Sequence, residues 1–147
     1  MKKYLVSLML MLSCFGKPDL NPCIGNDCFC PAQLEVCEPT CNDTGDCNVF
    51  CGETTCNATC GDVGDCNVQS GTLPVTVLCG TNDLCNVECS GASSCEVSCG
   101  GALDCNVSCP ENNCTVKDCT QGAGCAVACG LGGVVVGVQQ GADVVCQ

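Results

Sequence analysis

Histidine, arginine and tryptophan are missing from this 147-residue chain, and aromatic residues of any kind make up only 3% of it. Without an imidazole to activate a serine or cysteine, Ser–His and Cys–His nucleophilic sites are excluded. Four lysines face 16 acidic groups, for a formal charge of -12. Such a surface disfavours nucleic acid, whose phosphates need basic groups, and it disfavours anionic lipid headgroups for the same reason. Cys-x2-Cys pairs, the usual spacing of zinc ligands, are also missing, and "CFC" at 28–30 does not replace them. Carboxylate pairs of the glycosidase kind remain conceivable, but acidic residues on an outward strand face are ordinarily a solvated surface. The expectation is a protein that is not an enzyme, has no resident cofactor and does not bind nucleic acid.

What the chain has instead is cysteine, 23 residues of it. That density marks a disulfide-stapled exported scaffold, because the cytosol would keep the thiols reduced. An export signal is expected over residues 1–13: Lys2 and Lys3 precede an apolar run from Tyr4 to Leu12, too short to span a bilayer. The step Met11-Leu12-Ser13-Cys14 resembles the lipobox of bacterial lipoproteins, with Met11 in place of the usual Leu. That resemblance implies that Cys14 becomes the lipidated N-terminus. Phe15 after it implies sorting to the outer membrane of a bacterial cell envelope, with ordinary secretion as the alternative. Removing Cys14 leaves an even number of cysteines, all able to pair. The mature chain then keeps Lys17 and Lys117 against 16 acidic groups, about -14 in formal charge. Residues 14–36 read as the lipidated cysteine, a short tether and a Cys-rich cap; residues 37–147 read as a repeat array.

The array repeats Cys-x-Val-x-Cys ("CNVFC", "CNVEC", "CEVSC", "CNVSC", "CAVAC"), with units starting at 37, 47, 56, 66, 75, 85, 95, 105, 114 and 125 and a Val-only unit at 134. Alternation places Cys, Val and Cys on one face of a short strand. The connecting segments alternate between five residues ("NDTGD", "GDVGD", "GTNDL") and four ("GETT", "GTLP", "PENN"), with only "SGASS" before 95 breaking the pattern, so the true period is 19 or 20 residues with two strands in it. Asn48, Asn67, Asn86 and Asn106 recur at that period and predict an asparagine ladder, while the alternate units carry Glu38, Asn57, Thr76, Glu96 and Thr115. The fold class predicted is all-β: a small disulfide-stapled β-solenoid with two short strands per coil of about 19–20 residues, in which each coil completes its core with its neighbours. An antiparallel meander of hairpins is the other architecture weighed. It leaves a cystine-lined face uncovered and does not explain the ladder.

Cysteines four apart in one strand lie about 13 Å apart and cannot bond. Across a tight arc, the last inward residue of one strand faces the first of the next. This predicts Cys41 with Cys47, Cys51 with Cys56, Cys60 with Cys66, Cys79 with Cys85, Cys89 with Cys95, Cys99 with Cys105, Cys109 with Cys114 and Cys119 with Cys125. Ser70 and Val75 are then the two halves of one absent bridge. Cys23, Cys28, Cys30, Cys37, Cys129 and Cys146 can make three more, most simply one within the N-terminal segment, one tying it to Cys37, and Cys129 with Cys146.

The Cys-x-Val-x-Cys array and the signal together resemble the uncharacterised Cys-rich repeat lipoproteins of bacteria. The array also resembles insect antifreeze proteins in scale, but its threonines, Thr40, Thr59, Thr76 and Thr115, are interrupted by Glu38, Leu78, Glu96 and Lys117. The function expected is non-enzymatic: a lipid-anchored cell-envelope or surface protein of structural or adhesion type, whose partner, besides the membrane that holds its lipid, is not specified. The alternative is an extracellular module for divalent cations. Asp43, Asp46, Asp62 and Asp65 recur at coil spacing near Asp83 and Asp104, and oxygen-only ligands suit Ca²⁺.

Overall fold

The computed structural model describes residues 23–24, 26–41, 45–133 and 135–147. Cys14 and the signal-like segment lie outside these, as does Asp43. The described residues contain no helix, and none is long and apolar enough to cross a membrane.

Among the described residues, fifteen strands follow one another along the chain. The first eight are β1 (Cys23–Ile24), β2 (Asp27–Phe29), β3 (Val36–Cys37), β4 (Cys47–Phe50), β5 (Thr55–Thr59), β6 (Asp65–Gln69), β7 (Val75–Leu78) and β8 (Leu84–Glu88). They continue with β9 (Cys95–Ser98), β10 (Asp104–Cys109), β11 (Cys114–Lys117), β12 (Cys125–Cys129), β13 (Val135–Val136), β14 (Val138–Gln140) and β15 (Asp143–Cys146). One sheet has the order β1-β2-β4-β6-β8-β10-β12-β13 and the other β14-β15-β11-β9-β7-β5-β3. Each arc hands the chain from one sheet to the other, so every coil adds one parallel strand to each. The result is a β-solenoid of about five turns.

Register follows the repeat. Cys47, Cys66, Cys85, Cys105 and Cys125 pair in one column, and Val49, Val68, Val87, Val107 and Val127 in another. These inward side chains are buried and form one continuous core with their counterparts on the facing sheet, among them Val77, Val97, Val116 and Val144. Every second residue of the strands is inward, and the buried cluster so formed consists of Cys, Val and Ala.

All 22 cysteines from Cys23 onward are bridged. Cys41–Cys47, Cys51–Cys56, Cys60–Cys66, Cys79–Cys85, Cys89–Cys95, Cys99–Cys105, Cys109–Cys114 and Cys119–Cys125 each cross one arc, with Cα atoms 5.5 to 6.3 Å apart. That separation lies inside the range a disulfide spans without moving the backbone. Cys23–Cys28, Cys30–Cys37 and Cys129–Cys146 close the ends.

The arc without a bridge keeps its place in the stack. Ser70 N–H donates to Glu88 O at 2.9 Å and Val75 N–H to Ser94 O at 3.0 Å, so the interstrand ladder runs unbroken through both positions. Val75 is 2% exposed and occupies the inward slot of Cys56 and Cys95. The hydrogen bonds between coils set the register, and the bridges lock it.

Glycine lets the arcs stack closely. A Cβ on Gly71 would sit 1.6 Å from Gly52 O, and one on Gly80, whose φ is +80°, would sit 2.3 Å from Gly61 O. No side chain fits at either place.

The tail departs from the repeat. The Val-only unit expected at 134 does not add another parallel coil: β13 pairs antiparallel with β12, and β14 and β15 form an antiparallel pair that attaches to β11. Gly130, Gly132 and Gly133 all have positive φ, which reverses the chain after Cys129. Gly137 is buried where an added Cβ would strike Val144. Val134 itself lies outside the described residues.

Candidate functional site

The outward positions of β4, β6, β8 and β10 carry the most organised polar surface of the described residues. Parallel pairing puts Asn48, Asn67, Asn86 and Asn106 side by side, and their amides bond in series. Asn106 Nδ2 donates to Asn86 Oδ1 at 3.2 Å, Asn86 to Asn67 at 3.0 Å, and Asn67 to Asn48 at 3.3 Å. Asn48 Nδ2 then donates to Asp27 Oδ1 at 3.0 Å. Every N–H points the same way, so the aligned amide dipoles present their positive end to the Asp27 carboxylate, which stabilises the row. Ala126 occupies the next position on β12 and ends it.

Two residues further along each strand lies a second outward column: Phe29, Phe50, Gln69, Glu88 and Ser108. The rings of Phe29 and Phe50 stack with centroids 4.9 Å apart and planes 8° from parallel. Both are unusually open for aromatic residues, 55% and 37% exposed. Between the two columns runs a groove of about 420 Å³, walled by the four asparagines on one side and by Phe50, Gln69, Glu88 and Ser108 on the other. Its floor is the strand backbone at Val49, Val68 and Val87. Glu88 is the only charged group among its walls. The serial bonds use one of two N–H groups and one of two oxygen lone pairs on each central amide, which leaves one donor and one acceptor of each outside the row.

The opposite sheet presents Asn57, Thr76, Glu96 and Thr115 in one column and Thr59, Leu78, Ser98 and Lys117 in the next. Lys117 forms an ion pair with Glu96, whose hydrogen bond and charge raise the lysine pKa above its ordinary value.

The acidic rim is tied into the stack. Asp46 Oδ1 accepts the Asp65 backbone N–H at 3.2 Å, and Asp62 Oδ1 accepts the Thr81 hydroxyl. Leu84 pairs between Asp65 and Asp104 and separates those carboxylates. Sulfurs of neighbouring bridges also cluster, as at Cys60, Cys66 and Cys85 within 4.8 Å of one another. Each of these sulfurs is in a disulfide, so the clusters offer no thiolate to a metal.

Spacing alone finds the asparagine row. It misses Asp27 at the end of that row, and it misses the Phe29–Phe50 stack, because "NDCFC" lacks the Cys-x-Val-x-Cys pattern that would place it one coil below Asn48 and Phe50. No protein-family model, curated protein or solved structure matches this Cys-rich repeat β-solenoid, so the reading of its function rests on its own geometry.

Proposed function

We propose that the protein is a non-enzymatic, lipid-anchored protein of the bacterial cell envelope, of structural or adhesion type, held at the outer membrane. The observation that carries this reading is the bridging of nearly every arc in a continuous two-sheet stack. Each closure of a short arc contributes roughly 2 kcal/mol on the loop-entropy estimate. A rod stapled this densely resists local opening, and so proteases, in keeping with a passive role outside the cell. The lack of histidine supports the absence of nucleophilic catalysis.

The anchor is supported by the lipobox-like step before Cys14 and by parity, since every later cysteine has a partner within the fold. The calcium alternative draws on Asp46, Asp62 and Asp65, with Asp43 outside the described residues. Asp46 and Asp62 each already accept a hydrogen bond between coils, so the structural reading is better supported. Metabolic labelling with a radioactive fatty acid, followed by cell fractionation, tests the proposal. Label lost in Cys14→Ser, together with release of that variant from the membrane fraction, is expected. An unlabelled, soluble native protein overturns the anchored reading.

A further inference from the structure

We infer that the groove beside the asparagine row is a binding site for a neutral, extended β-linked polysaccharide. This names the ligand of the adhesive reading above and rests on it.

Three features point to that class. First, the walls repeat along the stack: from Asn48 to Asn106 the row covers three strand spacings, about 14 Å. A linear polymer lying across the strands therefore meets the same amide at each step, and a few sugar rings fill the length. Second, the free amide N–H and carbonyl groups, with Gln69, Glu88 and Ser108 opposite, supply donors and acceptors in both directions. Hydroxyl groups, which both donate and accept, match that mixture. Third, Phe50, backed by Phe29, gives an exposed apolar end wall where the C–H face of a pyranose can pack.

Charge narrows the choice. The chain carries -12 overall and Glu88 stands in the wall, so an anionic polymer is repelled. Uncharged side chains make up the rest of the walls, which leaves no array of carboxylates to select a polycation. The groove ends where Ala126 replaces asparagine, so the site has a defined length.

Isothermal titration of the exported, oxidised protein with chitopentaose and with cellopentaose tests the inference. Both probes are neutral β-1,4-linked chains, and the two arms show whether acetamido groups are read. Saturable heat is expected with at least one, weakened by about tenfold or more in Phe50→Ala with Gln69→Ala. Thr76→Ala with Leu78→Ala, on the outer face of the other sheet, should bind as the parent does. An unchanged disulfide map shows that both variants keep the fold. Absence of saturable heat with either sugar at millimolar concentration overturns the inference, as does equal weakening by both pairs of substitutions, or saturable binding of an extended peptide in place of the sugars. None of these outcomes bears on fatty-acid labelling, so the site can fail while the anchor stands.

Discussion

Installing the absent bridge, with Ser70→Cys and Val75→Cys together, separates the work of the hydrogen-bonded stack from that of the disulfides. The two positions are five apart in sequence, as are Cys51–Cys56 and Cys109–Cys114, whose Cα atoms lie 5.6 and 5.8 Å apart. Backbone hydrogen bonds already hold both positions between bridged neighbours, so the new bond should form without distorting the coil. Closing a loop of this length removes about 2 kcal/mol of unfolded-state entropy. Against this, the buried Val75 loses side-chain volume, at a cost of about 1 kcal/mol. The net expectation is a gain of about 1 kcal/mol over the parent and about 2 kcal/mol over Val75→Cys alone. Peptide mapping without reduction should show the added bridge and the native eleven, and equilibrium unfolding in guanidinium should show a higher midpoint. A double variant that forms the bridge yet is no more stable than Val75→Cys alone would refute the idea that arc closure is an independent, additive staple. Scrambled pairing at Cys51–Cys56 or Cys89–Cys95 would refute the claim that the stack alone sets the register.

Gly71→Ala should be among the most damaging single substitutions, destabilising by about 3 kcal/mol, because its Cβ would overlap Gly52 O and force two coils apart; guanidinium unfolding measures it. Asn82 is 2% exposed, donates to Cys79 O, and has an Oδ1 without a partner; Asn82→Asp should therefore lose about 2 to 4 kcal/mol by burying a charge and removing the donor, whereas Asn82→Ala should cost less, as paired unfolding curves would show. The Lys117–Glu96 pair is exposed, and because the lysine pKa is raised in the fold, its small contribution is present below the ordinary lysine pKa and lost as pH rises through the folded value. Unfolding midpoints of the parent and Lys117→Gln should accordingly converge at strongly alkaline pH. Calcium up to millimolar concentration should leave the unfolding midpoint of the parent unchanged, and a saturable shift abolished by Asp46→Asn with Asp62→Asn would reverse the preference between the two readings of the rim.

Much of this architecture is legible from spacing because the repeat couples two periods. Alternation within a strand marks which side chains face inward, and the 19- or 20-residue interval from Asn48 to Asn67, Asn86 and Asn106 fixes which strands are neighbours. Tight arcs then leave few partners for each cysteine. Legibility fails where one period is missing. In "GLGGVVVGVQQ" three valines run together without alternation, so nothing in the sequence shows that the chain reverses; the positive φ at Gly132 and Gly133 does that. At the other end, Asp27 and Phe29 belong to a coil with no central valine, and their pairing with Asn48 and Phe50 depends on backbone register alone. The groove combines both cases: its asparagine wall is periodic, and its facing wall of Phe50, Gln69, Glu88 and Ser108 differs at every step.

At the C-terminal end both sheets close with reversed strands, β13 against β12 and β15 against β11, whereas at the N-terminal end β1 turns back on β2 in one sheet and β3 ends the other as a parallel strand. At the C-terminal end the terminal strands therefore do not continue the repeat, and they do not offer the next copy of this chain the parallel register it would need to join on. Length is thereby uncoupled from closure: the two ends carry no information about how many coils separate them. Duplicating the coding segment of one 19-residue coil would add one step of about 4.8 Å, with its own arc cysteines, and leave both termini as they are. Such a molecule works as a ruler, able to grow or shrink by whole divisions.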